Sequence, residues 1–212
     1  MGFISFTAKL QKYLLQPRLL LLQNLLKRIP LQPFHLACFY LFLLDEIPAL
    51  PLNPNRRLGE IRRGGPREVK ELLRCENKPE IFCRRFEKGE QCLVVFMKEE
   101  IAGYGWLSYA PVYLEERYRY PVQIPPDTVY IYDSYIVPEH RRKGLWLQLI
   151  EQEIYFMKKI GRKKLLVMVD DGHERSIKLH RRAGFYPVKK IFYFRLFGKR
   201  FFKEKNIGKT EI

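Results

Sequence analysis

The chain has 212 residues, 47% of them hydrophobic and 14% aromatic, so it can bury one substantial core and is not a disordered segment. Its 39 lysines and arginines against 23 acidic residues give a net charge of +16. That excess favours an acidic partner, namely a phosphate-bearing cofactor, nucleic acid or an anionic membrane, while a solvated basic surface explains it equally well. We expect a single domain with an appendage.

The cysteines and histidines indicate no metal centre. Cys38, Cys75, Cys83 and Cys92 lack CxxC spacing, and the four histidines are scattered along the chain. Buried, reduced thiols in a cytoplasmic protein are therefore the expectation, with no metal ligand set and no secretory signal.

Residues 1–54 are predicted to form an extension. Residues 9–29 have the pattern of a helix with a wide leucine-rich face and basic flanks. Such a helix either packs on its own domain or lies on a membrane surface, so peripheral contact at the inner face of the membrane stays open. The apolar run 36–44 is too short to span a bilayer and predicts a strand. A linker containing Pro48, Pro51 and Pro54 follows.

A main domain is predicted over residues 55–198. It starts with a strand at 57–63 and two short helices that follow Pro66 and Pro79. Residues 91–97 and 101–108 predict an antiparallel hairpin, in which Gly103 and Gly105 indicate a bulge or a close backbone approach. Residues 110–126, rich in tyrosine and proline, predict a long surface loop that contacts an acceptor substrate.

The second half predicts an alternation of strands and helices. A strand at 128–137 leads through a basic turn into a helix that ends at Gly161, and a buried parallel strand follows at 164–169. Asp170 and Asp171 are expected to cap a helix that ends at Gly184. A final strand is predicted at 185–197, and 199–212 is expected to be a basic tail that frays.

The turn at residues 138–144 is the strongest functional signal. Backbone N–H groups at a helix N-terminus are unpaired and the helix dipole is positive there, so a glycine-containing turn with Arg141, Arg142 and Lys143 suits a pyrophosphate.

Two motifs give the chain a resemblance to the GCN5-related N-acetyltransferase (GNAT) superfamily. The acetyl-CoA loop of that family, Arg/Gln-x-x-Gly-x-Gly/Ala, resembles 141–146, and its later motif Asn-x-x-Ala-x-x-Leu-Tyr-x-x-x-Gly-Phe resembles 173–185 through Ser176, Leu179, Gly184 and Phe185. The resemblance covers about residues 57–197. It implies an α/β (α+β) fold with a mixed, mostly antiparallel sheet, a splayed parallel strand pair and flanking helices, here extended by an N-terminal helix and strand.

The resemblance also implies the donor site. The residues expected to bind acetyl-CoA are Ile136, Val137, Arg141, Arg142, Lys143, Gly144, Leu145, Trp146 and Ser176. Three positions depart from the family pattern: Trp146 replaces a small residue, His173 replaces an asparagine, and His180 stands where a tyrosine protonates the departing thiolate.

Two residues are candidates for catalysis. An imidazole titrates near neutrality, so His180 could act as the general acid, although a structural histidine on an amphipathic helix is an alternative. Asp133 lies beside the position of the family's carboxylate, which Tyr132 occupies. It could be the general base, hold a cationic acceptor, or simply be satisfied by neighbouring groups.

By resemblance, we expect an acetyl-CoA-dependent N-acetyltransferase acting on the primary amine of a small molecule or amino sugar, by direct attack in a ternary complex. The alternative is a non-catalytic or membrane-recruited acyl-CoA-binding module on the same fold. The charge alone suggests nucleic acid, and because no motif that reads nucleic acid is present, we do not expect that partner.

Overall fold

The computed structural model describes residues 34–46 and 58–208. The helix predicted at 9–29 and the linker with Pro48, Pro51 and Pro54 lie outside these residues. The chain divides into two compact units, of which the larger comprises residues 38–192 and 203–212 and the smaller 1–37 and 193–202. In the described part of the chain, no helix is long and apolar enough to cross a membrane.

Within the described residues, the helices and strands occur in the predicted order, with three additional strands at 112–114, 121–123 and 199–206. The strands are β1 (Phe34–Leu44), β2 (Glu60–Arg63), β3 (Gln91–Met97), β4 (Glu100–Ser108), β5 (Val112–Leu114), β6 (Pro121–Gln123), β7 (Thr128–Ile136), β8 (Lys164–Asp170), β9 (Tyr186–Leu196) and β10 (Lys199–Asn206). The helices are α1 (Val69–Cys75), α2 (Pro79–Glu87), α3 (Leu145–Lys159) and α4 (Glu174–Arg182), with 3₁₀ turns at Pro66–Glu68 and Pro138–His140.

The parts of these strands in the larger unit form one mixed sheet in the order β10-β9-β1-β8-β7-β4-β3-β2. Strands β2, β3, β4 and β7 pair antiparallel in succession, and β1 pairs antiparallel with β8. Strands β7 and β8 are parallel, and their paired register ends at Ile131 and Val167 although both strands continue. The predicted fold class, including the splayed parallel pair, is confirmed.

Apolar side chains cover both faces of this sheet. On one face, Leu145, Leu149 and Ile154 of α3 pack with Val129 and Val167 of the parallel pair. On the other face, α1 and α2 bury Leu72 and Phe82 against Tyr104 and Trp106 of β4. The close approach predicted at the β4 glycines is confirmed, because a Cβ on Gly103 would lie 2.4 Å from the carbonyl oxygen of Tyr135.

Strand β1 lies inside the sheet, between β9 and β8. Its register runs from Phe39 opposite Asp170 to Leu44 opposite Leu165. Phe39, Phe42 and Leu44 are almost fully buried. The strand itself was predicted from its apolar run, but its partner strand follows 120 residues later, so local sequence could not reveal the pairing.

The prediction of a surface loop at 110–126 is wrong. Strands β5 and β6 form a two-stranded sheet, and Tyr118, Tyr120, Val122 and Ile124 are buried. The ring of Tyr118 stacks on Phe39 of β1 with centroids 4.9 Å apart. Because each strand has only three residues, the alternation that identifies a strand was too short to recognise.

Two further expectations are corrected in the last quarter of the chain. The basic tail does not fray from Gly198, because Lys199–Asn206 form β10. Asp170 and Asp171 do not cap α4, whose N-cap position is His173 and carries no side-chain cap. In the smaller unit, the rings of Phe194 and Phe201 stack with centroids 6.1 Å apart.

Candidate active site

The basic turn joins β7 to α3 with two residues in the left-handed region. Arg142 has φ of 62°, and Gly144, the N-cap of α3, has φ of 91°. Glycine adopts that conformation without strain, and a side chain there would meet Leu58 at 3.1 Å from its Cβ. Arg142 and Lys143 are exposed beside the first N–H groups of the helix. The turn therefore presents helix N-terminal amides and two cations, neither of which has an ion-pair partner among residues 34–46 and 58–208, to an anion.

Beyond Ile131, its last pair with β8, strand β7 has an edge that no described strand pairs with, which we call the open edge. The N–H of Val137 donates to the carbonyl of Ala102 over 2.9 Å, so this residue is hydrogen-bonded to β4. Since successive residues of an antiparallel ladder alternate, the N–H and C=O of Ile136 and Ser134 point away from β4 and into the gap. Sequence reasoning found Ile136 and missed Ser134, which stands two residues earlier on the same side of the strand.

Arg141 is bound to this strand. Its Nε donates to the carbonyl oxygen of Ile136 over 2.7 Å, and its guanidinium lies 5.2 Å from the ring centroid of Tyr135. The side chain thus ties the turn back to the open edge. Arg142 and Lys143 are left as the cations of the turn that can reach a phosphate.

Two of the departures from the family pattern contact each other. The rings of Trp146 on α3 and His180 on α4 meet edge-on with centroids 4.8 Å apart. Phe185 makes a second edge contact with His180 at 5.3 Å. Trp146 therefore packs against α4 and joins the two helices, rather than filling the anion-binding side of the turn.

His180 is buried and its ring orientation is defined. It is 6% exposed, and burial lowers the pKa of its imidazole to about 4, opposed by a backbone hydrogen bond. Its Nδ1 lies 2.8 Å from the carbonyl oxygen of Ser176 and 3.3 Å from the Ser176 hydroxyl. Because a carbonyl oxygen only accepts, Nδ1 carries the proton, and Nε2 of the neutral ring is an acceptor. Neutral His180 therefore has no Nε2 proton to give to a thiolate.

Asp133 is ion-paired on the face of the sheet that α1 and α2 cover. Its carboxylate accepts from Arg85 Nη1 over 2.7 Å and lies 4.0 Å from Lys78 Nζ. Arg85 is only 4% exposed, and it also donates to Glu116 over 3.1 Å. Burial lowers the pKa of Arg85, but the charges of Asp133, Tyr132 and Glu116 and the hydrogen bond to Asp133 together outweigh it, and the pKa is raised above its usual value. The guanidinium lies over the rings of Trp106 and Tyr132.

Sequence reasoning missed Arg85 and its ion pair with Glu116, a residue that the sequence offers only as a loop carboxylate best explained as solvated. Arg85 occupies the same face of α2 as Phe82 and Phe86, and a cation at a core-facing position is the signal that could have revealed it. Glu116 gave no local signal, because it lies in the turn of the unrecognised β5–β6 hairpin and meets α2 only in three dimensions.

Tyrosines and carboxylates surround Asp133. Tyr132 donates its hydroxyl to Glu90, and Tyr104 donates to Glu76. The ring of Tyr113, from β5, stacks on Tyr132 with centroids 4.3 Å apart. This face of β7 is therefore polar, aromatic and rich in carboxylates, in a chain whose overall charge is strongly positive.

Comparison with known proteins agrees with this geometry. The model of the acetyltransferase (GNAT) family matches residues 60–185. A protein from Novosphingobium aromaticivorans DSM 12444 described as a GNAT-family acetyltransferase is 15% identical, with a TM-score of 0.54, covering 79% of this chain and 69% of its own. A conserved protein of unknown function from Staphylococcus epidermidis ATCC 12228 is 14% identical, with a TM-score of 0.55 and coverages of 87% and 68%.

A third solved structure is aminoglycoside N-acetyltransferase AAC(6')-Iy in complex with CoA, 15% identical, with a TM-score of 0.50, covering 64% of this chain and 92% of its own. Among curated proteins, no match was found. The family match spans more than half of the chain and includes the basic turn, the open strand edge and α4. The chain thus belongs to the acetyltransferase (GNAT) family and is an acyltransferase.

Proposed function

We propose that this protein transfers the acetyl group of acetyl-CoA to the primary amine of a small molecule or amino sugar, in a ternary complex. The observation that carries the proposal is the open edge of β7, where the backbone of Ser134 and Ile136 faces the gap directly before the basic turn. Acetyl-CoA needs hydrogen-bond donors at its thioester carbonyl and cations at its diphosphate. The strand edge supplies the donors, and the basic turn that follows it supplies the cations.

Different groups of the protein would bind different parts of acetyl-CoA. Arg142, Lys143 and the first N–H groups of α3, beginning at Leu145, would hold the diphosphate. The pantetheine amides would pair with the backbone of Ser134 and the N–H of Ile136 in the gap, since the Ile136 carbonyl accepts from Arg141. A backbone N–H of Ser134 or Ile136 would donate to the thioester oxygen, which becomes an oxyanion when the amine nitrogen attacks the carbonyl carbon. The C–S bond then breaks, the thiolate leaves and takes up a proton, and the attacking nitrogen loses one.

Asp133 would serve the acceptor as a fixed negative charge. Both Arg85 and Lys78 contact its carboxylate, so its oxygens are held in place by ion pairs. The nearby carboxylates Glu76 and Glu116 add negative charge to the same face of the sheet. This supports an acceptor that arrives as a cation, and the aminoglycoside enzyme of the same fold makes aminoglycosides the first acceptors to test.

The donor site is tested by calorimetric titration of acetyl-CoA into Gly144→Glu. A glutamate there places a carboxylate at the phosphate position, and we expect affinity to fall by at least about a hundredfold, since repulsion replaces a favourable contact. The matched control is Gly161→Glu, at the other end of the same helix, where φ is also positive (74°) and nothing lies within 4 Å of the new Cβ. If the two variants bind acetyl-CoA with equal affinity, the turn does not form part of the donor site.

Thiol release across a panel of amines tests the transfer itself. The alternative of a non-catalytic acyl-CoA-binding module gains support from one observation: Asp133 is held by Arg85 while neutral His180 lacks an Nε2 proton, so both predicted catalytic groups are engaged elsewhere. Release of CoA thiol that depends on an amine supports the transferase. Saturable acetyl-CoA binding without release for any amine supports the binding module.

A further inference from the structure

The turn between β9 and β10 exposes a cluster of apolar side chains. Among the residues that the structure describes, Phe197 is the most exposed large hydrophobic residue, at 79%, and Phe201 is 50% exposed. Leu196 precedes Phe197 and is also exposed. Phe197 and Gly198 have positive φ, and a Cβ on Gly198 would meet nothing within 4 Å. We call residues 195–201 the hairpin tip.

The hairpin tip is also strongly basic. Arg195, Lys199 and Arg200 lie within it, and the sequence contains no acidic residue from position 186 to position 203. None of these three cations has an ion-pair partner in the described ranges 34–46 and 58–208. Exposed aromatic and aliphatic groups flanked by unpaired cations are the combination that binds an interface between hydrocarbon and negatively charged headgroups.

We propose that the hairpin tip docks the protein on the surface of an anionic lipid bilayer. Leu196 and Phe197 enter the boundary between headgroups and acyl chains, while Lys199 and Arg200 contact lipid phosphates. Leu196 ends β9 and Phe197 follows it in the turn, while Lys199 and Arg200 open β10, so the apolar residues and the cations are adjacent at one end of the hairpin. This inference does not depend on the proposed acetyl transfer.

A lipid surface fits the tip better than a nucleic acid does. Proteins that bind single strands present aromatic rings along a concave, basic groove in which successive bases stack. Here the exposed apolar groups are concentrated at a turn, and one of them, Leu196, is aliphatic and offers no ring for stacking. Nucleic acid is therefore an outcome of the test rather than the proposal.

The test is co-sedimentation of the full chain with vesicles, made either of phosphatidylcholine alone or of equal amounts of phosphatidylcholine and phosphatidylglycerol. We expect binding to the mixed vesicles that weakens as salt is raised. Phe197→Ser should weaken it about tenfold, since one large apolar side chain no longer leaves water. Lys199→Gln with Arg200→Gln should weaken it about fivefold for each cation removed.

The matched control is Tyr155→Ser on α3, because Tyr155 is another exposed aromatic residue (62%) outside the tip. It should bind like the wild type, and thermal unfolding checks that every variant is folded. If the tip variants bind mixed vesicles as well as wild type, or if wild type does not bind them, the proposal is overturned.

Two further arms separate other sources of binding. Leu21→Glu with Leu22→Glu changes the leucine-rich N-terminal segment; loss of binding in that variant together with full binding by the tip variants would overturn the proposal in favour of the N-terminus. Binding of a labelled single-stranded RNA that depends on the tip, without vesicle binding, would overturn it in favour of nucleic acid.

Discussion

Glu153 on α3 provides a stability prediction with a defined sign. Its side chain is 0% exposed, and neither carboxyl oxygen has a hydrogen-bond partner in the part of the chain that the structure describes. A Cβ on Gly105 would lie 2.6 Å from Glu153 Oε1, which places the carboxyl group directly against the backbone of β4. Burial raises the pKa of Glu153 well above its usual value, so the folded protein holds this group protonated.

The isosteric change Glu153→Gln removes the ionisation and keeps the shape. A carboxyl group whose pKa is raised in the folded state stabilises the fold fully below the unfolded-state pKa of about 4.3. This stabilisation is lost as the pH rises toward the folded-state pKa. Across this window the wild type loses about 1.4 kcal/mol per pH unit relative to the variant. For a chain of this length, that corresponds to a difference in Tm of roughly 3–6 °C per pH unit.

The assay is thermal unfolding of wild type and Glu153→Gln between about pH 5 and pH 8. Taking the difference between the two proteins cancels the titration of every other group. Glu174→Gln is the control, because Glu174 is an exposed carboxylate on α4 and its variant should track the wild type. Parallel curves for wild type and Glu153→Gln would refute the reasoning, since they would show that Glu153 titrates alike in the folded and unfolded states.

Two more predictions concern His180 and β1. His180→Phe should gain about 3 kcal/mol of stability relative to wild type as the pH falls from about 6.5 to 4, because the buried imidazole of the wild type resists the proton that the unfolded chain accepts. Denaturant unfolding of both proteins across that pH range measures the gain. A stability difference that does not change with pH would contradict the prediction. Phe42→Ala should lower the free energy of unfolding by about 3–5 kcal/mol, because Phe42 is buried in the core. Exposed Phe197→Ala, within about 0.5 kcal/mol of wild type in denaturant titration, is the control.

The basic turn and strand edge that we propose hold the donor could be recognised in the sequence because they are local. The turn at Arg142 and Gly144 and the strand edge at Ile136 lie within nine residues of one another. When a strand leads through a basic turn into an amphipathic helix, the first N–H groups of the helix lack intrahelical partners and the side chains of the turn add positive charge. The role of Ser134 required the register with β4, which decides which backbone groups face the gap.

The ion-paired cluster around Asp133, which we propose faces the acceptor, could not be predicted, because its residues come from distant segments. Asp133 on β7 meets Arg85 on α2, which in turn meets Glu116 in the β5–β6 turn. These contacts span 48 and 31 positions along the chain. A hydrophobic pattern records which side of a strand or helix is buried, but it does not record which charged group on another segment will be its neighbour.

The sequence by itself determined the family, the order of the main strands and helices, and the basic, glycine-containing turn, because each depends on short-range periodicity, turn residues and motif spacing. Only the tertiary structure decided that β1 lies inside the sheet, that Trp146 packs against His180, and that His180 is buried with its proton on Nδ1. These features arise from packing between segments far apart in the chain, where burial and a single carbonyl partner control the chemistry of a side chain.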